Sequence, residues 1–242
     1  MTENFGNVYD DLDRARAYAD LEFPGTYYLA FRDLPALLRK HARGARALDF
    51  GCGTGRSARF LRGLGLQVVG VDISEIMLNH ARGRDPGGDY RLISDGSLAG
   101  FRTGTLDVIL AAFTFDNIPN DRQKASALRE LRRLLAPAGR LVVVVSSAAI
   151  YCHEWASFST RDFPANRTAH DGDAVRIVML DVPDRRPVID CFCSDAHYRE
   201  LFEAARLRVV DTLSPLATGT ESVQWVSETT ISPWSIYVLG PA

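Results

Sequence analysis

The chain has 242 residues, of which 28 are Lys or Arg and 30 are Asp or Glu, so its formal net charge is −2. Hydrophobic residues make up 46% and charged residues 24%, which excludes a disordered or collagen-like chain. The nearly balanced charge argues against a nucleic-acid-binding module, because such modules neutralise phosphates with an excess of basic residues.

Four cysteines are too few for a disulfide scaffold, and Cys191 and Cys193 lack the CxxC spacing of zinc sites. No group of ligand-type residues has convincing metal spacing, so we predict no metal. The first residues lack a basic region followed by an apolar one, and the longest apolar run, 141–145, is far too short to span a membrane. The sequence therefore predicts a cytoplasmic protein with no membrane partner.

Polar residues with scattered aromatics occupy 1–24, and a helical pattern follows at about 26–42. Short apolar runs then alternate with amphipathic stretches. The predicted strands are 47–50, 68–71, 90–93, 106–113 and 141–145, and the predicted helices are 54–64, 74–82 and 121–135. Apolar strands separated by helices indicate a parallel sheet that is buried on both faces.

The alternation of strands and helices stops after residue 147. Residues 148–173 mix aromatics with histidines, and two strands at 175–182 and 187–192 surround the turn residues 183–186 as a hairpin. A helix to about 205, a strand at 207–213 and a last strand within 229–239 follow. We predict one α/β domain over 1–242, a doubly wound, mostly parallel seven-stranded sheet with an antiparallel last strand. Its N-terminal helical cap is 1–43 and its insert is 148–193.

A glycine-rich turn separates the first strand from the first helix. It contains Gly51, Gly53 and Gly55, and glycines there allow a tight turn and a close approach of the backbone to a ligand. Arg56 stands where a dinucleotide fingerprint needs its third glycine, and no P-loop Lys follows. Asp49, just before the turn, would repel a pyrophosphate and suits a ligand with a positive amine.

Two more acids follow the ends of strands. Asp72 ends the second strand, 17 residues after Gly55, where it could accept hydrogen bonds from two ribose hydroxyls; capping of the next helix is the alternative. Asp95 and Gly96 follow the third strand, where the acid could accept a bond from an adenine amino group. Asp-Gly is also a common turn signal.

Together, the glycine loop and these acids resemble the Rossmann-like, class I S-adenosylmethionine-dependent methyltransferases, from about 45 to 145 and from about 194 onward. The resemblance implies that residues 49–55 bind the methionine part of S-adenosylmethionine and that Asp72 holds its ribose. It implies that Ile73 and Met77 pack on the adenine and that Asp95, with Gly96, meets the adenine amine. S-adenosylhomocysteine would be the product.

Aromatic residues near the N-terminus fit the same resemblance. In small-molecule members, a tyrosine on an N-terminal helix closes over the methionine end of the cofactor, and Tyr18 is the candidate, with Tyr9 behind it. An ordinary packed tyrosine is the alternative. We expect Arg56 to be an exposed helix arginine.

The expected reaction is an in-line methyl transfer to the oxygen or nitrogen of a small molecule, in which proximity and orientation supply much of the acceleration. Phe115-Asp116-Asn117 replaces the [DN]PP[YFW] motif of many DNA and protein-amide N-methyltransferases, which favours a small-molecule acceptor. Asp116 and His153 are the candidate bases, with His170 behind them.

We interpret the aromatic insert as a lid over an apolar or planar acceptor, with Trp225 and Trp234 contributing to it; a homodimer contact through the insert is the other interpretation. Two further functions stay open at this stage. One is a protein of the same fold that binds S-adenosylmethionine or S-adenosylhomocysteine without methylating anything. The other is an NAD-dependent oxidoreductase, which Asp49, Arg56 and the lack of a Tyr-x-x-x-Lys pair disfavour.

Overall fold

The computed structural model describes residues 21–93 and 97–242. Its strands are β1 (Arg46–Phe50), β2 (Gln67–Asp72), β3 (Asp89–Leu92), β4 (Leu106–Ala112), β5 (Leu135–Ser146), β6 (Phe158–Ser159), β7 (Ala174–Met179), β8 (Val188–Cys191), β9 (Leu207–Leu213) and β10 (Trp234–Pro241). Its α-helices are α1 (Thr26–Arg32), α2 (Leu34–His41), α3 (Arg56–Gly63), α4 (Glu75–Arg84), α5 (Asp121–Leu134) and α6 (Asp195–Ala204), with 3-10 turns at Phe115–Asn117, Ala148–Tyr151 and Pro164–Thr168.

Seven strands form the central sheet in the order β3-β2-β1-β4-β5-β10-β9. The first five are mutually parallel, and β10 is antiparallel to both β5 and β9. The predicted fold is therefore confirmed. The direction of winding reverses between β1 and β4, and open α/β sheets bind ligands in the crevice at the carboxyl ends of such strands.

The two faces of the sheet are covered by different elements. Ala47 and Val108 face a cluster that contains residues of α1 and of the insert, whereas Leu48 and Ile109 face a cluster with α5 and α6. Successive residues of a strand point to opposite faces, so both faces of the central strands are apolar. Contacts within the first cluster therefore pack the insert against one face of the sheet.

Several predicted boundaries were wrong. The single helix expected at 26–42 is two helices divided at Asp33, because Pro35 at the second position of α2 fits a helix start and cannot continue a helix. Helix α5 passes directly into β5, so the expected stop at 137–139 lies within a strand. The last strand begins at Trp234, so residues 229–233, which the sequence predicts to be part of it, precede the strand.

The insert forms a small antiparallel sheet in the order β6-β7-β8. Strands β7 and β8 pair in the register Ile177 with Val188 and Val175 with Asp190, joined by a loop longer than the predicted 183–186 turn. These four side chains are buried. The register places an acid on the buried face of the hairpin.

No helix within the two described ranges is long and apolar enough to cross a membrane.

Candidate cofactor and acceptor site

The glycine loop follows β1 and leads into α3. Gly51, Gly53 and Gly55 all have positive φ angles, of 73°, 51° and 79°, which side chains rarely adopt. A Cβ at Gly51 would clash with the side chain of Thr114, whose hydroxyl donates to the carbonyl of Phe50 at 2.8 Å. The loop is thus pressed against the connection that leaves β4.

Asp72 is the half-buried last residue of β2 and reaches this loop. Its Oδ2 accepts from the backbone N–H of Gly53 at 2.8 Å, and its Oδ1 accepts from that of Ser74 at 2.9 Å. The side-chain cap of α4 is Ser74, which accepts from Met77 N–H. The structure therefore brings the predicted acid to the predicted loop, and this acid also stabilises the start of α4.

Asp49 lies beneath the loop and is fully buried. Its Oδ2 accepts from the Ser57 hydroxyl at 2.6 Å, whereas its Oδ1 has no hydrogen-bond partner within residues 21–93 and 97–242. Burial raises the pKa of this carboxyl to about 7, although the Ser57 hydrogen bond opposes the shift. A buried carboxylate oxygen without a partner fits a ligand that carries a positive amine.

The other residues expected at the cofactor divide into two groups. Ile73 is 55% exposed at the carboxyl end of β2, and Met77 is buried with its Cε 3.2 Å from where a Cβ on Gly53 would lie. Met77 therefore borders the loop, and Ile73 directly follows Asp72, which bonds to the loop. Tyr9, Tyr18, Asp95 and Gly96 lie outside the described residues.

Arg56 is buried, so the expectation of an exposed helix arginine was wrong. Its side chain donates to the backbone carbonyl of Glu22. Its guanidinium carbon lies 4.9–6.0 Å from the centroids of four aromatic rings, those of Phe23, Tyr27, Phe31 and Phe113. Such ring contacts stabilise a cation that is removed from water, and they tie the first turn of α3 to α1.

A cavity lies at the carboxyl end of β4, between α1, the insert and β10. It is lined by Tyr27, Phe113, Asp116, Asn117, Ser146, Ile150, Phe158, Ile177, Met179, Val188, Asp190 and Trp234. Phe113, at the point where β4 ends, has a φ of 61°, a strained value for a bulky residue. Eight of the twelve lining residues are apolar or aromatic and four are polar, including two acids, Asp116 and Asp190.

Of the residues predicted for the acceptor side, Asp116 and Trp234 line this cavity. His153 and His170 are exposed and Trp225 is half-buried, and none of these three belongs to the lining. The structure therefore does not bring either histidine to the cavity.

Asp116 is buried and well bonded: Ser146 N–H donates to its Oδ2 at 3.0 Å and the Tyr198 hydroxyl to its Oδ1 at 3.3 Å. Burial raises its pKa to about 6. Sequence reasoning missed the second acid, Asp190, which accepts from the Tyr151 hydroxyl at 3.0 Å. A charged residue within an apolar strand pattern was the signal that could have found it.

In the part of the chain that the structure describes, no group of three or more His, Cys, Asp or Glu could hold a metal ion.

Known proteins resemble the chain in sequence and in fold. A family model described as a methyltransferase domain matches residues 48–143. The ubiquinone/menaquinone biosynthesis C-methyltransferase UbiE of Idiomarina loihiensis is 33% identical over 185 residues, which are 70% of this chain and 68% of that protein.

Two solved structures share the fold at lower identity. An S-adenosylmethionine-dependent methyltransferase from Clostridium acetobutylicum is 12% identical with a TM-score of 0.62, covering 97% of this chain and 96% of that one. The 1,6-didemethyltoxoflavin-N1-methyltransferase of Burkholderia thailandensis, with bound S-adenosylhomocysteine, is 18% identical with a TM-score of 0.57, covering 88% and 78%. The predicted enzyme class and its cofactor, S-adenosylmethionine, are thus confirmed, and the chain belongs to the class I S-adenosylmethionine-dependent methyltransferases.

Proposed function

We propose that this enzyme methylates a nitrogen or oxygen atom of a small molecule that binds in the cavity beyond β4. The cavity carries the proposal, because it lies where open α/β sheets bind ligands and combines aromatic walls with a few polar groups. One relative named above is a C-methyltransferase of ubiquinone and menaquinone biosynthesis, and the other is an N1-methyltransferase with 1,6-didemethyltoxoflavin bound, a small molecule. These two relatives methylate different atoms, carbon and nitrogen, so the choice of nitrogen or oxygen here rests on the polar groups in the cavity wall.

We also propose the roles of the residues around the glycine loop. Asp49 Oδ1 faces the positive amine of the cofactor, Asp72 accepts from the ribose hydroxyls, and Ile73 and Met77 border the adenine. The roles of Tyr18, Asp95 and Gly96 stay predictions. When bound, S-adenosylmethionine supplies a methyl group on a sulfonium, which is a good leaving group; the chain's own residues bind, orient and exclude water.

We further propose how the chain is organised into a domain, a cap and an insert. Residues 1–242 form one domain, with 1–43 as an N-terminal cap and 148–193 as an insert that covers the acceptor. The packing of insert residues such as Phe158 and Ile177 into one apolar cluster with α1 supports this. A cytoplasmic location, a homodimer through the insert and the absence of nucleic-acid partners stay predictions from the sequence.

Cofactor affinity is expected to depend on pH through Asp49. The pKa of this carboxyl is raised to about 7, so the group is protonated below that pH, whereas a cationic ligand needs it ionised. Binding must then release the proton, and affinity falls by up to about tenfold for each pH unit below about 7 and levels off above it. Calorimetric titration with S-adenosylmethionine from pH 5 to 8 measures the slope.

The variant Asp49→Asn is expected to bind more weakly at pH 8 and to lose most of this slope. Asp89→Asn is the matched control, because Asp89 is an exposed acid on the edge strand β3 that pairs with Arg91. A slope that persists in Asp49→Asn would assign the pH dependence to another group.

Filling the cavity tests where the acceptor binds. Ile177→Trp places a larger side chain in its wall, and is expected to reduce methyl transfer at least about tenfold while cofactor affinity changes less than about twofold. Transfer of labelled methyl groups to a panel of amines and phenols is the measurement. Ile189→Trp, next to Asp190 but outside the cavity lining, is the control. Equal activity of the two variants would place the acceptor elsewhere.

A further inference from the structure

Asp190 is an acid at a buried strand position, where apolar residues are usual. It shares the buried face of β8 with Val188, opposite Val175 of β7, and both Val188 and Asp190 line the cavity. Its Oδ2 accepts from the Tyr151 hydroxyl at 3.0 Å, whereas no residue of 21–93 or 97–242 donates a hydrogen bond to its Oδ1. One oxygen of a buried acid in the cavity wall is therefore available to a ligand.

When ionised, Asp190 and its charged neighbours carry a net negative charge. The ionisable groups that act on it are Asp116, beyond β4, the buried Lys124 on α5 and the Tyr151 hydroxyl. The Lys124 ammonium lies 3.5 Å from Cys191 Sγ. Two buried carboxylates against one ammonium leave one negative charge in an apolar environment, which is costly. Burial first, and then the charge of Asp116, raise the pKa of Asp190 to about 8, so a proton supplies the missing positive charge.

An ammonium group of a ligand could take the place of that proton. Its charge would balance the two acids, and it could donate to Asp190 Oδ1. The rings of Tyr27, Phe113, Phe158 and Trp234 in the same lining surround a cation favourably, because their faces are negative. A neutral hydroxyl would leave the charge unbalanced.

We propose that Asp190, with Asp116 in the same cavity wall, binds the amino group of the acceptor, so that the substrates of this enzyme are amines carried on an apolar body. This inference rests on the proposed acceptor cavity. Before the nitrogen can accept a methyl group, Asp190 takes one proton from the ammonium: the N–H bond breaks, its electron pair stays on nitrogen as a lone pair, and a new O–H bond forms on the carboxylate. The proton passes to water when the product leaves. A carboxyl with a raised affinity for protons is suited to this transfer.

The test compares three probes of one shape, benzylamine, benzyl alcohol and toluene, binding to the enzyme loaded with S-adenosylhomocysteine and followed by NMR titration. At pH 8, benzylamine is expected to bind at least about tenfold more tightly than benzyl alcohol, since a charge-assisted hydrogen bond is worth more than a neutral one. Asp190→Asn is expected to remove this preference and to leave the affinity for benzyl alcohol and for S-adenosylhomocysteine unchanged. Asp173→Asn, an exposed acid of the same insert, is the control.

The pH dependence of benzylamine binding tests the inference on the wild-type protein. Benzylamine affinity is expected to rise between pH 6 and 8, as Asp190 loses its proton while the probe keeps its own, and benzyl alcohol affinity is expected to stay flat. Equal binding of benzylamine and benzyl alcohol, no detectable benzylamine binding, or a preference that survives Asp190→Asn would overturn the inference. The cavity itself is tested separately: if Ile177→Trp blocks toluene while benzylamine shows no preference, the amine inference fails and the proposed acceptor site stands.

Discussion

Asp72→Ala is expected to weaken S-adenosylmethionine binding about 100-fold or more. The carboxylate lies at the end of β2, 2.8 Å from the backbone nitrogen of Gly53, so it contacts the glycine loop that we propose holds the cofactor. In the role proposed for Asp72, two charge-assisted hydrogen bonds to ribose hydroxyls would contribute about 3 kcal/mol together, and one factor of ten in affinity corresponds to about 1.4 kcal/mol. The loss of the Gly53 contact loosens the loop and acts in the same direction. Calorimetry at pH 8 gives the affinity.

The same substitution also removes a bond to the N–H of Ser74 at the start of α4, so a local structural effect must be separated from the loss of binding. Asp72→Asn keeps an acceptor oxygen and loses the charge, and it should lie between the wild type and Asp72→Ala. Glu75→Ala, at an exposed acid in the first turn of α4 that pairs with Arg82, serves as the control. Unchanged affinity in a folded Asp72→Ala protein would sink the assignment of Asp72 to the ribose.

The geometry of the glycine loop and its two acids was predictable from the sequence because it is encoded locally. A strand, three glycines and a helix follow one another within the 18 residues 46–63, and Asp72 ends the next strand. Strand ends of a parallel sheet meet at one edge, so the chain order alone brings Asp49, Gly53 and Asp72 together. The structure agrees, with Asp72 bonded to the loop and Asp49 beneath it.

The acceptor side was not predictable in the same way, because it is assembled from distant segments. Arg56 was expected in solvent, since a helix arginine usually is; it is buried only because rings from α1 and from the end of β4 converge on it. Asp190 faces the cavity only in the register that pairs Val175 with it. His153 was ranked by its distance from β5 along the chain, which does not determine the direction of a side chain in an irregular insert.

Glu228 is a buried acid that links helix α1, the insert and the loop before β10. Its side chain is fully buried and joins three parts of the chain. Oε1 accepts from the Thr26 hydroxyl at 2.6 Å and from Ala156 N–H at 2.8 Å, and Oε2 accepts from Val226 N–H at 2.9 Å and Ser227 N–H at 3.1 Å. Helix α1, the insert and the loop before β10 are thereby held at one point, next to the Tyr27 and Trp234 walls of the cavity.

Glu228→Ala is accordingly expected to lower the free energy of unfolding by about 3–5 kcal/mol, because it leaves several donors without an acceptor and each costs about 1–3 kcal/mol when buried. Urea unfolding followed by circular dichroism measures the loss. Asp173→Ala is the control: Asp173 also accepts from a backbone N–H group, that of His170 at 2.8 Å, but its side chain is exposed, so water replaces it.

The control is expected to leave the midpoint of unfolding almost unchanged. A folded Glu228→Ala protein should also lose affinity for the acceptor more than for S-adenosylmethionine, because Glu228 holds α1 and the insert, which supply Tyr27 and Phe158 to the lining of the proposed acceptor cavity. Equal midpoints for Glu228→Ala and Asp173→Ala would mean that the insert and α1 are held to the sheet by their apolar contacts alone. The burial of Glu228 would then contribute to the position of the cavity walls and not to the stability of the fold.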